Sequence, residues 1–111
     1  MDLDRANTVA EPANLSELVD YQAGGVVSRT LISKEAGTVT LFAFDQDQGL
    51  SEHTAPYDAM LIVLEGRMSA KIAGKDFVLD KGQVIIMPAN KPHALKAITR
   101  FKMILTMIRA K

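Results

Sequence analysis

The chain has 111 residues, 48 % of them apolar, enough for one domain with a single core. Thirteen basic and thirteen acidic side chains cancel, so the basic field of a nucleic-acid binder is missing. Cysteine is absent, which excludes disulfides, thiolate nucleophiles and Cys-ligated zinc, and no uncharged apolar run approaches the ~20 residues that span a membrane.

In chain order, M-D-L-D-R-A-N-T-V-A carries acids where a secretory signal needs positive charge, so a cytoplasmic location is expected. Residues 1–14 read as an N-terminal arm, loose or lent to a partner as a strand, and 15–111 as one domain. L-S-E-L-V-D reads as one helical turn with Asn14 as N-cap and Glu17 closing a capping box. V-V-S-R-T-L-I and T-V-T-L-F-A-F are β-branched and aromatic runs separated by S-K-E-A-G: strand, turn, strand.

Further on, A-M-L-I-V-L is apolar at every position, as in a strand buried on both faces. R-M-S-A-K-I alternates polar and apolar with period two, A-G-K-D supplies a hairpin turn around Gly74, and F-V-L returns. After D-K-G, Q-V-I-I-M-P is a strand that ends at Pro88, because proline has no amide hydrogen for the ladder. A-N-K-P-H is a loop, and H-A-L-K-A-I and F-K-M-I-L-T-M-I-R are the last strands. Turn signals recur about every eight to twelve residues with no long helix, which predicts an all-β sandwich or barrel.

Two histidines stand in polar loops beside these strands. His53 opens S-E-H-T-A-P-Y-D-A, which runs into the apolar strand and closes on Glu65-Gly66, and His93 follows A-N-K-P. Around them the chain resembles the cupin superfamily over roughly residues 37 to 108. The family's second motif sets Gly, Pro, Gly, His and Asn at fixed spacing. Gly82, Pro88 and His93 match it, Asn90 replaces the second glycine, and Ala97 replaces the terminal Asn. Asn tolerates the left-handed backbone that such a glycine supplies. In the first motif His53 and Gly66 match, Ala55 stands at the second histidine, Ala59 at the acid, and Gly49 lies only four residues before His53.

The resemblance implies an all-β fold, a single jelly-roll β-barrel (double-stranded β-helix), with ligand positions pointing inward so that His53 and His93 approach one another. It implies a pocket of His53, Ala55, Tyr57, Ala59, Met87 and His93, with His53 and His93 as metal ligands and Asp58 as a weak third. One divalent transition metal (Zn, Fe, Mn or Ni) is the cofactor so implied, yet catalytic zinc generally takes three protein ligands, and non-haem iron two histidines and a carboxylate. Strand alternation turns Asp58 away from the pocket unless a bulge near Pro56 re-aims it. Without metal, paired histidines in an apolar barrel are expected neutral at pH 7, able to donate and accept hydrogen bonds.

Three functions are compatible with this. The first is a small-molecule-binding cupin with a reduced two-histidine pocket, metal-free or weakly metal-binding. The second is a metal-dependent enzyme (dioxygenase, isomerase or decarboxylase) with Asp58 or Tyr57 as third ligand or acid/base. The third is a ligand sensor acting through a separate partner protein, since no helix-turn-helix is present. The methionines at 60, 68, 87, 103 and 107 lie at core spacing and read as gap-fillers before they read as soft copper ligands. Lys91, Lys96, Arg100 and Lys102 read as solvated loop charge before an anion-attracting mouth. Small cupins dimerise through strands like the first two here, so a homodimer is expected.

Overall fold

The computed structural model describes residues 10–110. A 3-10 turn, Leu15–Leu18, precedes nine strands: β1 (Val26–Lys34), β2 (Gly37–Phe44), β3 (Gly49–His53), β4 (Tyr57–Glu65), β5 (Arg67–Ile72), β6 (Lys75–Asp80), β7 (Val84–Met87), β8 (His93–Ala97) and β9 (Phe101–Arg109). They form two antiparallel sheets, β1-β2-β9-β4-β7 and β3-β8-β5-β6, closed on one another as a jelly-roll barrel. The all-β expectation is met.

Period-two alternation decides what lies between the sheets. Ala59, Leu61 and Val63 of β4, Met68 and Ala70 of β5, Leu95 and Ala97 of β8, and Phe101, Met103 and Leu105 of β9 share one buried cluster. Phe44 and Phe101 stack within it, centroids 4.6 Å apart and planes 11° from parallel. Met68, Met87 and Met103 are buried there, so these methionines are filling, as their spacing predicts. Each such burial contributes about 1.5–3 kcal/mol. Ala73 and Gly74 join β5 to β6 with φ of 50° and 84°, the left-handed pair of a tight hairpin turn.

The outer face of the five-stranded sheet departs from expectation. β4 is not buried on both sides: Met60 is exposed and Ile62 only partly covered. Cover comes from the chain's own residues 15–21, where Leu15, Leu18, Val19 and Tyr21 pack on Val27, Leu31, Leu41, Ala43 and Ile104. They reach only half of the sheet. Polar contacts pin this strap: Arg29 Nη1 donates to Leu18 O at 2.7 Å, Lys102 Nζ to Ser16 O at 2.6 Å, and Tyr21 Oη to Glu65 Oε2 at 2.6 Å.

Lys102 is therefore not the solvated charge expected. It is buried beneath the strap, while Arg100 lies over the Tyr21 ring and pairs with Asp45 at 3.3 Å. Lys91 and Lys96 are exposed, as expected. The capping box does not form, because Asn14 makes no side-chain cap and its amide reaches Glu17 Oε1 instead, at 3.3 Å. Where His53 is expected in a polar loop, G-L-S-E-H forms strand β3, whose only partner among the described residues is β8. Residues 1–9 of the expected arm lie outside the described residues.

Candidate functional site

His53 ends β3 and His93 begins β8, and the antiparallel ladder sets them directly opposite one another. Their ring centroids are 4.4 Å apart, with planes at 67°. On its other side His93 pairs with Ile72 of β5, and alternation with Leu95 and Ala97 turns it inward, where it is 9 % exposed. His53 is exposed at the open end.

Each Nδ1 faces a backbone carbonyl two residues earlier, His53 at 2.8 Å from Ser51 O and His93 at 3.3 Å from Lys91 O. A carbonyl can only accept, so in the neutral ring Nδ1 carries the proton and Nε2 keeps its lone pair. Burial pushes the His93 pKa down, the neighbouring His53 adds to this, and the Lys91 carbonyl opposes it. His93 is thus neutral at pH 7, as expected of a paired histidine in an apolar barrel.

The facing sheet supplies the rest. Ala59 and Met87 are register partners and both buried, so they form an apolar floor. Tyr57, two residues earlier on the same face, pairs with Arg109 at the end of β9. Arg109 Nη2 donates to Tyr57 Oη at 3.3 Å, and the guanidinium carbon lies 5.3 Å from the ring centroid. Two backbone bonds tie this end together: Asn90 N to Ala55 O at 2.8 Å and Ala110 N to Pro56 O at 3.0 Å. Asn90 adopts φ of 65°, the left-handed backbone expected where the family motif has glycine.

Of the sequence-predicted residues, the fold sets His53 against His93 and Ala59 against Met87, with Tyr57 beside them. Ala55 lends its carbonyl to the Asn90 loop. Asp58 goes elsewhere: alternation turns it to the outer face, opposite exposed Ile108, and Oδ1 accepts the Ala89 amide at 2.9 Å. Its role as a weak third ligand is corrected accordingly. Among the described residues no group of three or more His, Cys, Asp or Glu side chains could hold a metal. A His53–His93 pair with no third such side chain beside it among the described residues does not fit a resident zinc or iron centre, which needs at least a third donor. Arg109 and Ile72 were not foreseen, although i, i+2 alternation from Met107 and from Ala70 marks both as inward positions.

Comparison with known proteins agrees with this architecture. A family model described as Cupin domain matches residues 40–109. A conserved protein of unknown function from Streptococcus pyogenes is 32 % identical at a TM-score of 0.89, covering 95 % of this chain and 94 % of that one. A Cupin 2 conserved barrel domain protein from Leptotrichia buccalis is 38 % identical at 0.85, over 87 % of this chain and 47 % of that one. A cupin superfamily protein from Desulfitobacterium hafniense is 25 % identical at 0.86, over 89 % and 91 %. No match was found among curated proteins. With the domain model spanning most of the barrel and a third of the residues shared with a full-length structural relative, the chain belongs to the cupin superfamily.

Proposed function

We propose that this cupin binds a small organic anion, a carboxylate on a partly apolar body, at the open end of its barrel. The observation that carries the reading is the donor set: a His53–His93 pair in edge contact with no third metal-ligating side chain beside it. With Nδ1 of each ring turned to a backbone carbonyl, the Nε2 atoms are the ring positions left to meet a hydroxyl or acid group of the ligand. Arg109, at an inward position of the facing sheet, offers the planar fork that matches a carboxylate, and Tyr57 Oη adds a further polar group. Ala59, Met87 and Ile72 leave apolar walls for the rest of the ligand.

Metal content per chain, measured on untagged protein beside His53→Ala and His93→Ala, tests this together with calorimetric titration of a panel of small hydroxycarboxylates. The expected result is far less than one metal per chain, and carboxylate binding that Arg109→Ala and His93→Ala both weaken. One metal per chain, lost in both histidine variants, would refute it.

That second outcome favours a metal-dependent enzyme, for which one feature speaks. A backbone carbonyl on Nδ1 is also the arrangement that orients metal-bound histidines.

A further inference from the structure

The strand register brings a second cation to the mouth of the histidine pocket. One row crosses all four strands of the smaller sheet at its open end: His53 on β3, His93 on β8, Ile72 on β5 and Lys75 on β6. Lys75 falls in this row because the turn Ala73-Gly74 has only two residues. The residues that flank such a turn are register partners and share a face, so Lys75 takes the inward face of Ile72.

The next residues of β6 on that face agree. Phe77 is packed against the core and Leu79 is inside it. Lys75 Nζ lies 5.5 Å from the Phe77 ring centroid, so the ring keeps the ammonium above the inner wall. The stem covers apolar surface while the charged head stays at the rim, in water.

β6 comes against β4, the strand of Tyr57, which in turn pairs with Arg109. The mouth therefore carries one cation on each wall, Arg109 on the five-stranded sheet and Lys75 on the four-stranded sheet. The acids next to them in sequence face away: Asp58 accepts the Ala89 amide on one outer face, and Asp76 pairs in register with outward Lys71 on the other. Among the described residues neither Arg109 nor Lys75 forms an ion pair, whereas Arg67, Arg100 and Lys102 each have a carboxylate partner.

We infer, on the basis of the carboxylate-binding reading above, that the ligand is a short dicarboxylate and that Lys75 selects for its second carboxylate. Arg109 takes one carboxylate with its planar fork, and Lys75 takes the other as a point charge. A hydroxyl between them meets the histidine Nε2 atoms. Facing sheets lie ~10 Å apart and two long cationic side chains reach into that gap, which leaves room for a chain of about four to six carbons.

Titration calorimetry at low ionic strength tests this, with 2-hydroxybutanedioate, 2-hydroxypentanedioate and 2-hydroxyhexanedioate each beside the 2-hydroxy monoacid of the same chain length. Wild type should bind at least one diacid ~5-fold or more tightly than its monoacid, the scale of one added ion pair at a partly exposed site. Lys75→Met keeps the stem and should erase that preference while leaving the monoacid affinity unchanged. Lys75→Arg should retain it, and Lys71→Met, which removes the same charge from the outer face, should leave it intact. Arg109→Ala should weaken both ligands, and circular dichroism melts show that each variant is folded. Equal binding of diacids and monoacids, a preference that survives Lys75→Met, or one lost equally in Lys71→Met would overturn the role of Lys75 and leave the carboxylate reading standing. Binding of neither ligand class would overturn both.

Discussion

Gly66 closes the first cupin motif, and its replacement by alanine separates two costs that usually arrive together. Its φ is +84°, where an L-residue strains by about 1–2 kcal/mol. An added Cβ would also stand 2.7 Å from Phe101 Cβ and 2.8 Å from Phe101 Cα, and would strike the Arg100 carbonyl oxygen. Carbon pairs rest at about 3.5–4.0 Å, so the backbone at the start of β9 must shift. Forced repacking of this kind costs a further 1–3 kcal/mol or so. Gly74 has the same φ of +84°, and Gly82 one of +86°, but a Cβ at either meets nothing within 4 Å.

Gly74→Ala and Gly82→Ala are therefore expected to cost about 1–2 kcal/mol each, and Gly66→Ala about 2–5 kcal/mol. With no tryptophan in the chain, urea denaturation followed by far-ultraviolet circular dichroism is the suitable assay. Equal losses at all three glycines would show that the approach to Phe101 does not matter, and the reasoning would fail.

Two further expectations concern ionisable groups. The folded pKa of His93 lies below the unfolded value of ~6.5, so below neutrality the unfolded chain binds the extra proton. Stability is then complete above pH ~7 and falls as pH drops from 6.5 toward the folded value. Urea midpoints at pH 7.5, 6.5 and 5.5 should show that slope in wild type and lose it in His93→Gln, and equal slopes in the two proteins would reject the assignment. Tyr21→Phe removes the hydroxyl that Glu65 accepts at 2.6 Å but keeps the ring under Arg100. Burial, reinforced by Glu65, raises the Tyr21 pKa. Because the Glu65 side chain is 39 % exposed, the charge-assisted bond is discounted to about 1 kcal/mol, measured as a urea midpoint shift at constant slope. No shift would mean that the Tyr21–Glu65 bond adds nothing net to holding the strap.

Where one face of a strand is buried and the other wet, the pattern was readable. R-M-S-A-K-I became β5 with Met68 and Ala70 inside, and the two histidine motifs located the pair that now stands 4.4 Å apart. Reading failed where the partner of a face was not local. A-M-L-I-V-L has the same apolar content on both sides, but only the inner side meets the opposite sheet, and nothing in those six residues says that the strap stops short of Met60. Lys102 looked like any surface lysine because the carbonyl that accepts its hydrogen bond belongs to Ser16, 86 residues away. Arg109 was overlooked for the same reason, since its significance depends on Tyr57, 52 positions earlier.

The position of β9 has a consequence for the order of events on the way to this barrel. It comes last among the strands yet lies between β2 and β4, and the strap's lysine contact is made to it. While the chain is being synthesised, β2 and β4 each have an open edge that nothing earlier can close. The hairpin β1–β2 and the four-stranded sheet can form early, but the five-stranded sheet, the stacked phenylalanines and the strap must wait for residues 101–109. A ribosome pausing just before them would hold out two adhesive strands with their natural filler still to come, and that interval is when this chain would most need a chaperone.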